Sequence, residues 1–260
     1  GGSGIRSDWG LRTYGESADR PSVDFYGRQT ELVRALVEAG RPVVAVIVNG
    51  KPLNNEWITA HVPAIIDAWE PGMYGGQAVA EILFGKVNPS GKMPVTVPRH
   101  AGQIPMYYYQ AASRYWTGYG LGSSREDDRP AFCFGHGLSY TSFEYSDLKA
   151  DPVCPATGSI RLSFRLKNTG RMTGKEVPMV FVRDCVSSVV TPVNLLKEFT
   201  KVELRPGEER VIEFQIPAER LGLWNEDMKY VTEPGEFVLS VGRSVEDIRL
   251  KTTVRVLQTE

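Results

Sequence analysis

The stretch Arg28–Val48, RQTELVRALVEAGRPVVAVIV, decides the first half of the fold. Leu32, Ala35, Leu36 and Ala39 recur at helical spacing with charged residues between them, and Gly40 stands where a helix C-cap belongs. The chain then runs straight into Pro42–Val48, a continuous β-branched segment of the kind found in a parallel sheet covered on both faces. Working outward, Ala64–Trp69 reads as a second strand. Val79, Ile82 and Leu83 mark a second helix between Tyr74 and Phe84, closed by Gly85, and Pro94–Val97 reads as a third short strand. Helices alternating with strands indicate an α/β layer. Such a layer needs more strands and helices than these residues supply, so part of the domain is expected upstream of Gly1, and the chain reads as a fragment or a processed chain.

From residue 99 to 135 no period is visible, and the Gly-, Tyr- and charge-rich segment reads as a long loop. After Tyr140 the pattern changes to period two. Ile160, Leu162, Phe164 and Leu166 alternate with polar residues, as do Ile212, Phe214 and Ile216, and again Phe237, Leu239 and Val241. Turn signals at Asn168–Gly170, Arg205–Gly207 and Glu233–Gly235 punctuate them. Short alternating strands at this spacing predict an antiparallel β-sandwich.

Composition removes several function classes. Thirty Lys and Arg against thirty-one Asp and Glu give a net charge of -1, which offers no electrostatic footprint for nucleic acid or an anionic membrane. The longest apolar run, Pro42–Val48, is far short of the ~20 residues of a membrane span. Cys133, Cys154 and Cys185 form no close pair and read as reduced, partly buried thiols. That suits a reducing compartment, although one disulfide plus a free thiol in a periplasmic protein gives the same count. His61, His100 and His136 are too scattered for a metal site, and no phosphate-binding glycine loop, zinc-protease helix or serine elbow is present. No cofactor is therefore expected, and self-association stays open.

Six segments in order resemble the C-terminal half of family 3 glycoside hydrolases. They are Tyr14-Gly-Glu16…Arg20; Gly40-Arg-Pro-Val-Val with Val48-Asn-Gly-Lys-Pro-Leu53; Trp69-Glu-Pro-Gly72; Gly75-Gly76 with Leu83-Phe-Gly85; Asn88-Pro-Ser-Gly-Lys-Met-Pro94; and Phe134-Gly-His-Gly-Leu-Ser-Tyr140-Thr-Ser-Phe143. The resemblance implies residues 1–140 as the C-terminal portion of the family's α/β sandwich domain, with the long loop 99–135. Residues 141–260 are implied to be a fibronectin type III-like, immunoglobulin-like sandwich. It also implies a retaining exo-β-glycosidase, most simply a β-glucosidase, or else a β-xylosidase, whose aspartate nucleophile sits on a (β/α)8 barrel outside these residues. A non-catalytic carbohydrate-binding or scaffolding module is the rival from another class.

Retaining glycosidases need one carboxylate to attack the anomeric carbon and a second, about 5–5.5 Å away, to protonate the leaving oxygen and then deprotonate water. The resemblance gives the second role to Glu16, on a loop bounded by Gly10 and Gly15. From the residues alone, Glu16 reads as a solvated loop carboxylate or a partner for Arg20 rather than as a catalytic group. Asp8, in Ser7-Asp-Trp-Gly10, resembles the nucleophile motif, but it lies in the same loop as Glu16 rather than at the end of a barrel strand, and reads as loop polarity. Trp9, Tyr14, Tyr115 and Trp116 are candidate sugar contacts, since aromatic faces stack on pyranose rings, or else loop anchors and packing residues. Tyr107–Tyr109 could serve similarly or pack as an arm. The expected substrate is a β-linked oligosaccharide or glycoside.

Overall fold

A computed structural model of the protein describes residues 21–110 and 129–258, which fall into two compact units. The first comprises residues 21–87, 95–106 and 129–132, and the second residues 88–94, 107–110 and 133–258.

In the first unit, α1 (Gln29–Glu38) precedes β1 (Val44–Ile47), α2 (Glu56–His61) precedes β2 (Ala64–Asp67), and α3 (Gly75–Leu83) follows. The two strands pair in parallel from Val44↔Ala64 to Ile47↔Asp67, with α2 in the crossover that a parallel pair requires. Gly40 ends the first helical segment with φ at 72°, a left-handed conformation that costs glycine nothing.

Several details differ from the sequence reading. The stripe of α1 stays uncovered, with Leu32 and Leu36 exposed and no residue of the helix buried. On β1, Val44 and Val46 are 45% and 39% exposed, so only part of that strand's side chains find cover among the described residues. β2 stops at Asp67 because Trp69 adopts φ of 51°, outside the extended region. Helix α2 carried no periodic signal, being six residues long; the Asn55 side chain starts it by accepting from the Ile58 N–H at 3.0 Å. The strand expected at Pro94–Val97 is a single bridge, in which the Val97 N–H donates to Phe132 O at 2.8 Å. Pro94 and Pro98 remove ladder donors on both sides of it.

The second unit holds the strands of the sandwich. They are β3 (Phe143–Ala150), β4 (Val153–Pro155), β5 (Ser159–Asn168), β6 (Gly174–Glu176), β7 (Met179–Asp184) and β8 (Leu195–Phe199). After them come β9 (Val202–Leu204), β10 (Glu209–Pro217), β11 (Leu223–Trp224), β12 (Tyr230–Val231), β13 (Gly235–Gly242) and β14 (Ile248–Leu257). One sheet has the order β10-β5-β3 and the other β4-β14-β13-β7-β8. The alternating residues do what their period demands. Ile160, Leu162 and Phe164 sit opposite Ile216, Phe214 and Ile212, and Leu239 and Val241 opposite Val182 and Val180. Both sets enter one core with Phe237 and Val254.

A smaller cluster gathers Cys133, Val177, Met179, Phe181 and Val245, with Tyr108 and Phe134 packed on it; those two rings stack at 4.2 Å. Of the three thiols, Cys133 and Cys154 are buried, whereas Cys185, just past the end of β7, is exposed rather than partly buried. The motif segments around Asn88 and Tyr140 meet directly. The Asn88 carboxamide accepts from Ser139 Oγ at 3.0 Å and the Tyr140 N–H at 2.8 Å, and donates to Thr173 O at 3.2 Å.

Candidate functional site

Glu16, Trp9, Tyr14 and Asp8 lie outside the described residues, as do Tyr115 and Trp116. The described chain resumes at residue 21, and its first segment is tied into the first unit at one place. Asn54 N–H donates to Val23 O at 2.9 Å, and Asn55 Nδ2 donates to Asp24 Oδ1 at 2.8 Å. The same Asp24 oxygen accepts from the Phe25 N–H at 2.6 Å. Because Asn55 also caps α2, Asp24 is fastened to the start of that helix. Asn54 is itself buried, donating to Arg99 O at 3.1 Å and accepting from Thr59 Oγ1 at 2.8 Å. The segment beginning at residue 21 is thus anchored to the loop that leaves the carboxyl end of β1, the edge at which parallel α/β sheets place their ligands.

The same edge carries a second polar group. Asn49 is fully buried; its backbone N–H donates to Trp69 O at 3.2 Å and its Nδ2 to Lys51 O at 2.8 Å. Asn49 Oδ1 has no partner among the described residues. Burial pushes the Asp67 carboxyl above the usual carboxylate range, opposed by hydrogen bonds from the Trp69 backbone and the Asn49 side chain. A raised carboxyl pKa means the charged form is disfavoured in the fold. Its cost is therefore present at neutral pH and disappears as pH falls through the folded value toward the ordinary ~3.9. Asp67→Asn is accordingly expected to melt at or above the parent temperature at pH 7, with the difference shrinking as pH falls to about 4, as followed by circular dichroism. A variant less stable at pH 7 would contradict this reading of Asp67.

Among the tyrosines of the long loop, Tyr108 is a packing residue, and burial raises its hydroxyl pKa. Tyr107 and Tyr109 are exposed and stack on each other at 5.2 Å. The histidines stay apart. His61 stacks on Trp57 at 4.4 Å with Nδ1 2.8 Å from Trp57 O, and His100 begins a short 3-10 turn. The His136 ring is held below the usual imidazole range, chiefly by burial and then by the Lys92 and Arg243 charges. No group of three His, Cys, Asp or Glu side chains able to hold a metal ion occurs among the described residues. The hydrogen bonds of Asp24, Asn49, Asn55 and Asp67 escaped sequence reasoning. The one available signal was a polar Asn-Gly step directly after an apolar strand run.

A family model described as "Glycosyl hydrolase family 3 C-terminal domain" matches residues 7–140, and one described as "Fibronectin type III-like domain" matches residues 176–245. A β-xylosidase of Formosa agariphila is 42% identical over 93% of this chain and 33% of its own length. A periplasmic β-glucosidase of Salmonella typhimurium is 36% identical over 91% of this chain and 32% of its length. The chain thus spans about a third of the curated relatives it matches. Among solved structures, a β-glucosidase from Erythrobacter marinus superposes with a TM-score of 0.86 at 39% identity, covering 94% of this chain and 32% of that one. A β-glucosidase from Listeria innocua in complex with glucose gives 0.84 at 30% identity, covering 90% and 34%.

Proposed function

Since the chain belongs to glycosyl hydrolase family 3, we propose that it is the part of a retaining exo-β-glycosidase that supplies the general acid/base, Glu16. The observation that carries this is the Tyr14-Gly-Glu16 motif inside the 7–140 family match, directly ahead of a segment hydrogen-bonded to the loop after β1. The substrate is a terminal β-linked sugar. A β-glucoside is the first choice because the structural relatives are β-glucosidases; a β-xyloside is the second because a β-xylosidase is 42% identical.

In this reading the nucleophile is an aspartate on a barrel domain outside these 260 residues. Glu16 protonates the departing oxygen in the first step and takes a proton from water in the second. Trp9, Tyr14, Tyr115 and Trp116 contact sugar or aglycone. We place the sequence border between the two family domains near residue 140, where the first family match ends and just before the sandwich core begins at Phe143, although the compact second unit already takes in residues 133–140.

The chain by itself is expected not to turn over an aryl β-glucoside or β-xyloside, because a general acid without its nucleophile cannot form a glycosyl-enzyme. The same residues in the full-length protein are expected to do so. Hydrolysis by the 260-residue chain alone would contradict the assignment of the nucleophile elsewhere, and a full-length protein that binds sugars without cleaving them would favour a non-catalytic module.

A further inference from the structure

The sandwich holds a cavity of about 260 Å³ whose walls include Asp184, Thr191, Lys197, Leu221, Trp224 and Phe237. We propose that it is a second, non-catalytic binding site for one pyranose ring of a neutral β-glycan; the choice of a β-glycan rests on the glycosidase reading, the choice of a sugar on the cavity itself. Its volume sits just under the roughly 300–1,000 Å³ of typical small-molecule sites, which suits a single ring.

Two charges of opposite sign line the cavity, and each keeps hydrogen-bonding capacity. Asp184 uses Oδ1 to accept from the Val186 N–H at 3.2 Å, and among the described residues its other oxygen has no protein partner. Lys197 donates to Arg220 O, which leaves further ammonium donors. Both groups lose hydration there: burial raises the Asp184 carboxyl pKa and lowers that of Lys197. An ionic ligand would meet a like charge from one of them, whereas a hydroxyl both donates and accepts and satisfies each.

Most of the lining is aliphatic, Val182, Val190, Leu195 and Leu223 included, and Trp224 adds an aromatic wall. It is 60% exposed, and among the described residues its indole N–H donates to no protein group. An exposed indole beside desolvated polar groups suits the C–H face and hydroxyl rim of a pyranose.

The walls are also held in place before any ligand arrives. Trp224 pairs with Tyr230 across the β11–β12 hairpin, with the rings edge to face at 5.6 Å. The Tyr230 ring lies so close over Gly222 that a Cβ there would come within 2.8 Å of it, and the Tyr230 hydroxyl donates to Glu219 O at 3.1 Å. On the other side, the loop after β7 is pinned by the Ser188 N–H donating to Glu233 at 2.9 Å and by the Ser187 hydroxyl, 3.1 Å from that of Thr191. Preorganised walls reduce the ordering cost of binding.

The test uses the 260-residue chain, with cellotetraose and xylotetraose as probes, saturation-transfer NMR for contact and calorimetric titration for affinity. Binding is expected with a Kd of about 1 mM. Trp224→Ala and Asp184→Ala are each expected to weaken it by about tenfold or more. Trp224→Phe, which keeps an aromatic on the hairpin, is expected to lose less than Trp224→Ala, guarding against a hairpin that fails to form. Absence of saturation transfer at about 20 mM probe, or affinity unchanged in both alanine variants, overturns the proposal. Failure of the glycosidase reading would look different: an inactive full-length protein whose chain still binds the tetraoses through Trp224.

Discussion

Glu16→Gln in the full-length enzyme is expected to lose about 10²–10⁴-fold in rate on an alkyl glycoside or disaccharide while its melting temperature stays unchanged. The substitution keeps the size and hydrogen-bonding shape of the side chain but removes the proton. Protonation matters most when the departing alkoxide is a strong base, so the loss must depend on the leaving group. On an activated aryl glycoside, which leaves without help, formation of the glycosyl-enzyme should be nearly normal and its breakdown slow. Steady-state and burst-phase kinetics on the two substrate types read this directly. Equal losses on both, or none, would make Glu16 an ordinary loop carboxylate.

Glu176→Gln is expected to destabilise the sandwich by about 3–5 kcal/mol, as measured by denaturant unfolding. The Glu176 carboxylate is only 2% exposed at its side chain, and its neighbours are cations. Lys92 Nζ lies 2.9 Å from Oε1, Arg243 Nε lies 3.0 Å from Oε2, and the Val177 N–H donates to Oε1 at 2.8 Å. Their side chains are themselves 11% and 21% exposed; Arg243 retains Asp247 at 3.8 Å, so neutralising Glu176 strands chiefly the Lys92 ammonium, with the Arg243 charge facing it. Lys92 belongs to the Asn88–Pro94 motif, which makes this ion pair a fastening between that segment and β6. Adding Lys92→Met to Glu176→Gln should recover part of the loss, because it removes the stranded ammonium. A cost below about 1 kcal/mol for Glu176→Gln would mean that water reaches the cluster.

The elements legible in the sequence are those whose periodicity survives in isolation. α1 and β1 lie end to end in one uninterrupted run, and β5, β10 and β13 face a single core on one side, so alternation exposes them. β7 was illegible because Met179, Val180, Phe181 and Val182 are all buried, which erases the alternation. The pairs β6–β9 and β11–β12 have two or three residues per strand, too few to show a period. Glu16, the proposed acid/base, was visible only through its motif. Asp24 and Asn55 meet across 31 residues through one hydrogen bond, and no local pattern encodes such a contact. The sugar cavity in the sandwich was hidden for the same reason, since Asp184, Lys197 and Trp224 come from three separate strands.

If Glu16 is the general acid/base of a retaining glycosidase, an added nucleophile should rescue its loss. The full-length Glu16→Gln enzyme is incubated with an aryl β-glucoside with and without azide, and the products are identified by NMR. Azide needs no deprotonation, so it can attack the glycosyl-enzyme where water, lacking a base, cannot. The account predicts faster turnover with azide and a β-glycosyl azide as product. Near-normal hydrolysis unaffected by azide, with glucose as the only sugar product, would contradict it.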